Sequence, residues 1–435
     1  MSTNQISRRT FIQSTLTTAT ALSAAGPALG ALGANDRIRV GVIGTGGRGN
    51  AHISQFKNHK DAELVAICDV DDAQLDRASK NADAFGSKPQ RYKDFRKLIE
   101  RKDLDAVFIT SCCHWHAIPA VLAMQAGKDL YLEKPLGHTI HEGRVIADTA
   151  RKTGRIVQIG LQQRSGPHWI NAVKRIKAGE IGQVTTVHAW NAWNTSELDG
   201  KLGNPPDSDP PPGVDYDMWL GPAPKRRFNP ARFHFGFYFF FDYSSGMVCA
   251  WGVHLFDIVM WAMGNTVKSV AATGGIYVLK DARDTPDTVE AVFDCGNYTM
   301  SYSLSHTNGW RRFGNMDHGL EFVGTLGVLQ INRGGFQMYH EADRAKREPY
   351  YSEKVSADDS ETTLHQRNFL DCMRSRKQPN VDAETGHAAA TCGYLALISY
   401  RVGRSIQWDA RNETIPGDPE AARLLTKEYR EPWHL

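Results

Sequence analysis

A glycine-rich turn near residue 45 has the residue types and spacing that bind dinucleotide phosphates. Gly44-Thr45-Gly46-Gly47-Arg48-Gly49 follows an apolar alternation at 38–43, which predicts a strand, and precedes a helical pattern at 51–57. In such a turn the first glycine makes the tight bend and the second lets the backbone approach a pyrophosphate, while the last lets helix and strand pack closely. The N–H groups of the helix N-terminus then face the phosphates.

Asp69 extends this motif toward the nucleoside. It ends a second predicted strand at 63–67 and lies twenty residues after Gly49. A carboxylate at this spacing accepts hydrogen bonds from the adenosine ribose hydroxyls and repels a 2′-phosphate. The sequence therefore predicts NAD as cofactor in preference to NADP, with Arg48 in the turn partly offsetting the repulsion.

Four side chains that often bind metals lie within five residues, namely Cys112, Cys113, His114 and His116. Structural zinc sites separate their ligand pairs by longer loops, so this spacing is too tight for one. Two adjacent thiols beside a cofactor would also allow redox chemistry. We interpret the cysteines as small packing residues and predict no metal.

An alternation of strands and helices positions these residues. After the first two strands, strand patterns recur at 107–110, 129–133 and 156–159, separated by helical patterns at 118–126 and 140–152. The alternation predicts a doubly wound parallel sheet of the Rossmann type, with its ligand crevice at the carboxyl ends of the strands. Ser111, His114 and His116 fall at one such end, and Glu133-Lys134-Pro135 at another.

The pattern changes after Gln162. Successive strand patterns, several joined by glycine turns, occupy 184–192, 267–276, 289–295, 299–306, 320–323 and 328–331. They predict a second, α+β domain with a large, mostly antiparallel open sheet, one face covered by helices that include 363–374 and 383–404. The Pro-rich stretch 204–212 predicts a loop. The aromatic run 233–243 shows no helical pattern, and it suits either sugar C–H surfaces or plain packing.

Several motifs together resemble the Gfo/Idh/MocA family of NAD(P)-dependent sugar oxidoreductases. The resemblance spans nearly all of 37–408 and rests on the glycine turn and seven further stretches. They are Gly127-Lys128 with Glu133-Lys134-Pro135-Leu136, His114-Trp115-His116-Ala117, Gly160-Leu161-Gln162-Gln163-Arg164-Ser165, Trp219-Leu220-Gly221-Pro222-Ala223-Pro224, Trp251-Gly252-Val253-His254-Leu255-Phe256-Asp257, Asn368-Phe369-Leu370-Asp371-Cys372 and Gly386-His387. Together they look most like the secreted, twin-arginine branch of the family, which also holds the periplasmic glucose–fructose oxidoreductases. The resemblance implies a dimer or tetramer built on the open sheet. It also implies that the cofactor is bound by Gly44, Gly46, Gly47, Arg48, Gly49, Asp69, Ser111, His114, His116, Glu133, Lys134 and Gln162.

The same resemblance implies two catalytic residues, Lys134 and His254. Oxidation of a carbinol needs a group that removes the hydroxyl proton, and a desolvated lysine near a cationic ring has its pKa lowered toward neutrality. Relatives carry an aspartate four residues before the histidine, on the same face of a helix, where this chain has Ala250. His254 therefore acts with Lys134, or only positions a sugar hydroxyl, or is a packed core histidine.

The sequence thus predicts an NAD(H)-dependent oxidoreductase acting on a secondary hydroxyl or ketone of a sugar, glycoside or cyclitol, with tightly bound cofactor. A second interpretation is an NAD-dependent glycoside hydrolase or lyase that oxidises its substrate transiently. A third is a sugar-binding protein without turnover. Net NADH from a simple sugar, glycosidic cleavage without net NADH, or binding without redox change distinguishes the three.

The N-terminal segment is typical of an export signal. Ser7-Arg8-Arg9-Thr10-Phe11-Ile12 precedes a small-residue apolar stretch at 15–34, and no acidic residue occurs before Asp36. The stretch is too weakly apolar for a stable membrane span. We therefore expect twin-arginine export to the periplasm or beyond, and a division into a signal at 1–34, a Rossmann domain at 35–160 and a substrate and oligomerisation domain at 161–435.

Composition excludes several classes of protein. The 435 residues are 41% hydrophobic and 23% charged, which is ordinary for a globular chain and not for a disordered or polytopic membrane protein. The net charge is only +3, without a concentrated basic patch, so nucleic acid is not an expected partner. Seven cysteines, an odd number, indicate free thiols rather than a disulfide scaffold.

Overall fold

Six parallel strands form the first sheet of the protein. The computed structural model describes residues 36–194, 202–312, 315–356 and 360–435, so the predicted signal at 1–34 lies outside the described residues. The sheet has the strand order β3-β2-β1-β4-β5-β6. Its strands are β1 (Ile38–Ile43), β2 (Ala62–Cys68), β3 (Gln90–Tyr92), β4 (Ala106–Ile109), β5 (Asp129–Leu132) and β6 (Val157–Ile159).

Helices join these strands and bury both faces of the sheet. They are α1 (Gly47–Gln55), α2 (Asp72–Asp83), α3 (Phe95–Ile99), α4 (Ala117–Gln125) and α5 (Ile140–Thr153). Because helices cover both faces, the central strands are continuously apolar, and Val40 and Val42 of β1 are fully buried. The predicted Rossmann-type sheet is thereby confirmed.

The second sheet has nine strands among the described residues, in the order β14-β13-β12-β11-β7-β10-β9-β8-β15. The strands are β7 (Val184–Ala192), β8 (Ser269–Gly275), β9 (Thr288–Asp294), β10 (Thr299–Ser305), β11 (His318–Gly324), β12 (Gly327–Asn332), β13 (Gly335–His340), β14 (Tyr351–Lys354) and β15 (Ile406–Gln407). Every pairing is antiparallel except that of β7 with β10. This confirms the predicted second fold, a mostly antiparallel open sheet.

The helices of the second half, among the described residues, are α6 (Pro167–Lys177), α7 (Tyr216–Leu220), α8 (Gly246–Ala250), α9 (Val253–Met263), α10 (Glu361–Ser375), α11 (Ala383–Val402) and α12 (Pro419–Arg423). Of these, α6, α9 and α11 pack on the second sheet. Helix α10 packs instead on the first sheet, where Phe369 shares a core with Val40 and Phe108. None of the helices in the described ranges is long and apolar enough to cross a membrane.

Two local predictions were wrong. The aromatic run contains a 3-10 helix, His234–Phe239, where no helix was expected, because its rings pack against one another and against Trp219. Ala250 and His254 do not share one helix, since α8 ends at Ala250 and α9 begins at Val253. The break falls at Gly252, where a Cβ would lie 2.2 Å from the Val248 carbonyl oxygen and 2.9 Å from the Tyr302 hydroxyl.

Candidate active site

A cavity of ≈ 690 Å³ lies at the carboxyl ends of β1, β2 and β4. Gly44, Gly46, Gly47, Asp69 and Ser111 line it from the first domain. From the second domain, Met218 and Trp219 of α7 lie over it, together with His234, Phe235, Phe237 and Tyr238 of the 3-10 helix. The cavity is therefore covered by aromatic side chains rather than open to solvent along its whole length.

The glycine turn leaves the floor of this cavity clear. Gly44 has φ of +85°, which favours glycine, and a Cβ on Gly49 would lie 2.0 Å from the Gly44 carbonyl oxygen. A Cβ on Gly46 or Gly47 would meet nothing within 4 Å. The turn thus has the close helix–strand contact and the open backbone that a pyrophosphate requires.

Asp69 links the turn to the wall of the cavity. One of its carboxylate oxygens accepts hydrogen bonds from the Thr45 N–H at 2.6 Å and the Thr45 hydroxyl at 3.2 Å. The other accepts one from the Asp71 N–H at 3.1 Å. Burial raises the pKa of Asp69, and these donors oppose that rise. The carboxylate lies where ribose hydroxyls would meet it, so the residues present fit a dinucleotide.

Arg48 and Glu133, both predicted to touch the cofactor, bind each other. The Arg48 Nε lies 2.7 Å from Glu133 Oε1, and the His52 ring nitrogen lies 2.8 Å from the same oxygen. Burial would raise the pKa of Glu133, but Arg48 and His52 hold it well below its ordinary value. The ion pair uses the Arg48 Nε, whereas Arg48 also lines the cavity and its Nη2 has no hydrogen-bond partner among the described residues. The expected offset of a repelled 2′-phosphate by Arg48 therefore stays a prediction.

Lys134 stands next to the covered cavity. It follows β5, and its Nζ donates a hydrogen bond of 2.7 Å to the carbonyl oxygen of Ala250. The same Nζ lies 5.6 Å from the ring centroid of Tyr238, which lines the cavity. Burial lowers the pKa of Lys134. The amino group is thus held in place by a neutral carbonyl and made easier to deprotonate.

His254 is buried in the first turn of α9 and has an unsatisfied ring nitrogen. Its Nδ1 is shielded from solvent and has no hydrogen-bond partner, although its ring lies 5.7 Å from that of Trp251. Burial, then the positive charges of Arg333 and Lys134, lower the pKa of His254 well below its ordinary value. The imidazole is therefore neutral at pH 7 and can accept a proton or a hydrogen bond from a ligand.

Three other residues predicted to bind the cofactor, His114, His116 and Gln162, do not line the cavity. His114 donates to the Trp219 carbonyl at 2.9 Å, and burial lowers its pKa to about 3. The His116 ring nitrogens lie 2.8 Å and 3.1 Å from the carbonyl oxygens of Pro135 and Ser111. Both histidines therefore hold loops behind the cavity rather than lining it. Gln162 is buried with its amide oxygen unpartnered.

The cysteine and histidine cluster does not come together as a metal site. Cys112 lines the cavity, while the Cys113 sulfur lies 3.7 Å from the Ser244 hydroxyl. Burial raises the pKa of both thiols, to about 11 for Cys113. Within the described ranges, no three His, Cys, Asp or Glu side chains are grouped as metal ligands.

Sequence reasoning missed two residues of the site. Tyr238 bridges the cavity and Lys134, and Arg333 extends from the turn between β12 and β13 to within 5.0 Å of the Trp251 ring centroid. Tyr238 lies in the aromatic run 233–243, which was expected to face sugar or to pack, but its approach to Lys134 was not predicted. Arg333 belongs to no motif, and only the fold brings its charge close to Lys134.

Comparison with protein families agrees with this geometry. Residues 38–161 match the NAD-binding Rossmann fold of the Gfo/Idh/MocA oxidoreductase family, and residues 180–294 and 346–435 match its C-terminal alpha/beta domain. The chain belongs to this family. Its first domain is thus an NAD-binding Rossmann domain, as the glycine turn predicts, and the recognition of the family from its motifs is confirmed.

Individual relatives share a limited part of the sequence or a low sequence identity with this chain. A glycosyl hydrolase family 109 protein of Shewanella sp. (strain W3-18-1) is 32% identical over 179 residues, which cover 39% of each chain. Levoglucosan dehydrogenase in complex with NADH and levoglucosan has a TM-score of 0.66 at 18% identity, over 85% of this chain and 99% of that one. An oxidoreductase domain protein from Kribbella flavida has a TM-score of 0.67 at 18% identity, with the same coverage. These structures share the fold.

Proposed function

We propose that the protein is an NAD(H)-dependent oxidoreductase that acts on a secondary hydroxyl or ketone of a sugar, glycoside or cyclitol. The observation that carries this proposal is the position of Lys134, whose Nζ donates to the Ala250 carbonyl oxygen at 2.7 Å and lies 5.6 Å from the ring centroid of Tyr238, a residue that lines the cavity. Lys134 is partly buried, His254 is buried with an unpartnered ring nitrogen, and the pKa of each is lowered. NAD(H), when bound, accepts or supplies the hydride.

The chain's own residues hold and move the proton. A neutral Lys134 amine accepts the proton of the reacting hydroxyl, and the Ala250 carbonyl fixes the direction of its Nζ. His254 accepts a hydrogen bond from the same or a neighbouring hydroxyl. The carbonyl of Ala250 thus orients the lysine at the position where relatives carry an aspartate side chain.

The cover over the cavity supports a tightly held cofactor. Side chains of α7 and of the 3-10 helix line the cavity together with the glycine turn, and they would contact a dinucleotide bound there. An exported enzyme finds no free nicotinamide cofactor outside the cytoplasm. Retention of one cofactor molecule through a closed redox cycle is therefore consistent with both the predicted export signal and the lined cavity. We include export through the twin-arginine machinery, and a homo-oligomer, in this proposal.

The second candidate is an NAD-dependent glycoside hydrolase or lyase. The glycosyl hydrolase family 109 name of the sequence relatives favours it, although the match spans 39% of their length. A closed cycle of oxidation and reduction on one retained cofactor leaves no net NADH, which also agrees with a covered cavity. The same Lys134 and His254 would serve both reactions.

Native mass spectrometry of the purified protein, followed by a panel of sugars and glycosides, tests the proposal. We expect a mass increment of NAD(H) and a change in the fluorescence of the bound nucleotide with at least one sugar. Release of a free sugar from a glycoside without net NADH selects the second candidate. Absence of bound nucleotide together with no NAD(H) binding by calorimetry contradicts both.

A further inference from the structure

Arg333 is a cation at the candidate site without a carboxylate partner. Its guanidinium stacks on the Trp251 indole, and its Nη2 donates one long hydrogen bond, 3.4 Å, to the amide oxygen of Gln163. Its Nε is shielded from solvent and bonded to nothing. Among the described residues, the carboxylates that act on Arg333, those of Glu361 and Glu133, do so through their charge and not through a hydrogen bond. A partly buried guanidinium with a shielded, unpaired N–H is costly, and proteins usually pair such a group.

The carboxylates that act on Arg333 from a distance are occupied elsewhere. Glu361 accepts a hydrogen bond from the Trp169 indole at 2.7 Å. Glu133 is bound by Arg48 and His52. Burial lowers the pKa of Arg333, and these two carboxylates only partly oppose that change. Lys134, which is the neutral base in the proposed reaction, and Ala250 supply no counter-charge. The Arg333 guanidinium is therefore left without a carboxylate bonded to it.

Several further polar atoms around Arg333 are buried and unsatisfied. They are the Nδ1 of His254, the amide nitrogen of Gln163 and the amide oxygen of Gln162. Native proteins leave few such atoms without partners. Gln163 accepts the hydrogen bond from Arg333, Gln162 precedes it in the chain, and His254 lies close enough for the Arg333 charge to lower its pKa. Unsatisfied polar atoms near one guanidinium are the pattern of a site whose partners arrive with a polar ligand.

We infer that the substrate is a sugar bearing an anionic group, a carboxylate or a sulfate ester. The oxygens of this group pair with the Arg333 guanidinium, and the sugar ring lies against Trp251. The reacting hydroxyl of the sugar faces Lys134 and His254. The planar guanidinium offers paired N–H donors that match two oxygens of one anionic group. This inference rests on the proposed function for the identity of the reacting hydroxyl, but the anion-binding role of Arg333 does not require turnover.

Calorimetry with matched sugars tests the inference. The probes are glucuronate and galacturonate, glucose 6-sulfate and galactose 6-sulfate, and glucose and galactose as neutral counterparts. We expect at least one anionic sugar to bind more tightly than its neutral counterpart, and Arg333→Met to weaken that binding by roughly 30-fold or more. Neutral sugars should be affected little. A preference for the uronates or for the sulfates identifies which anion the site takes.

Three controls make the result decisive. Arg333→Lys keeps the charge and loses the paired donors, so it should retain part of the anionic preference. Arg344→Met removes an exposed arginine paired with Glu341 and should change nothing. Thermal melting and bound NAD(H) content report whether each variant folds. If Arg333→Met does not fold, the wild-type preference and the Arg333→Lys variant still decide.

The outcomes separate this inference from the proposed function. Redox change with neutral sugars, and no gain in binding from an anionic group, would overturn the inference and leave the oxidoreductase standing. Arg333-dependent binding of an anionic sugar, with no redox change and no glycosidic cleavage, would support the inference and contradict the proposed function. Equal weakening of neutral and anionic sugars by Arg333→Met would assign Arg333 a packing role and overturn the inference.

Discussion

At the scale of single residues, substitution of Lys134 should affect turnover and substrate affinity differently. We expect Lys134→Met to lower turnover by ~10²–10⁴-fold, the usual contribution of a positioned acid or base, with little change in sugar affinity. Steady-state kinetics and calorimetry on the same preparations measure the two effects. Lys346→Met, an exposed lysine paired with Asp343 at 2.7 Å, is the matched control.

The pH profile gives a second measurement of the same residue. Because burial lowers the pKa of Lys134 and the neutral amine is the base, oxidation should become faster as pH rises through that lowered pKa. His254 is neutral in this range already, so His254→Gln should reduce the rate without removing this pH dependence. Full turnover in a Lys134→Met, His254→Gln double variant would refute both roles.

Asp69 should decide the choice between NAD and NADP. Its carboxylate faces the cavity, and a 2′-phosphate beside it would place two negative charges together in a partly buried site. We expect the wild-type protein to bind NAD(H) more tightly than NADP(H) by calorimetry, and Asp69→Asn to narrow the difference. Equal affinities in the wild-type protein would show that Arg77 and Lys93, which line the same cavity, accept the phosphate.

The sequence identified the residues that lie within contiguous motifs, and missed those that depend on long-range packing. Lys134 follows β5 in a recognisable tripeptide, and His254 lies in the contiguous motif that runs from Trp251 to Asp257. Arg333 occupies an ordinary hairpin turn, and its importance comes from an absent counter-ion, which only the packed structure reveals. The Arg48–Glu133 ion pair was unpredictable for the same reason, since its members are 85 positions apart.

At the scale of elements, the glycine turn offers a pair of matched substitutions. Gly49→Ala would place a Cβ 2.0 Å from the Gly44 carbonyl oxygen and force β1 and α1 apart, whereas Gly47→Ala would meet nothing within 4 Å. We expect Gly49→Ala to lower the thermal midpoint of the nucleotide-free protein and to weaken NAD(H) binding. Gly47→Ala should melt like the wild type, and equal melting of both variants would contradict the close packing described here.

Element prediction succeeded where a pattern is set by local burial. Strand β4 is continuously apolar, and β1 is apolar except at Arg39 and Gly41. Both strands were located to within one or two residues. Strands β13 to β15 were missed because they are short and carry mixed polar residues that hydrogen bonds to neighbours stabilise. The break between α8 and α9 was missed because its cause, the approach of Gly252 to Tyr302, lies outside the helix.

At the scale of the whole molecule, buried histidines should make the fold sensitive to acid. Burial lowers the pKa of His52, His306 and His365 to about 4, whereas the unfolded value is about 6.5. Between these values the unfolded chain binds protons that the folded protein does not. Stability is therefore fully present above pH 6.5 and falls toward pH 4, by up to ~1.4 kcal/mol per pH unit for each histidine.

Denaturant unfolding at a series of pH values tests this account. His365→Gln should be less stable at pH 7, because His365 bonds to Ser165 and Ile159, but its stability should fall less steeply on acidification. His141→Gln, at an exposed position, should keep the wild-type slope. An unchanged slope in His365→Gln would show that acid acts through other groups.

Export is the last property to be tested on the whole chain. All seven cysteines lie within the described residues and remain free thiols, and six of them are buried, which agrees with folding in a reducing compartment. Under the proposed export, a cofactor cavity lined by both domains would be filled before the protein leaves the cytoplasm. Twin-arginine export moves folded proteins, so the Arg8-Arg9 pair and the covered cavity are two parts of one hypothesis.

Replacing Arg8 and Arg9 with lysine in a bacterial host should retain the protein in the cytoplasm. The retained protein should still be folded and carry NAD(H), because both substitutions precede residue 38, where the match to the NAD-binding domain begins. Cell fractionation and native mass spectrometry measure location and cofactor together. The control variant Lys57→Arg, Lys60→Arg exchanges the same two residue types on the surface of the first domain and should leave export unaffected. Periplasmic accumulation of the Arg8→Lys, Arg9→Lys variant would refute the signal, and exported wild-type protein without nucleotide would refute loading before export.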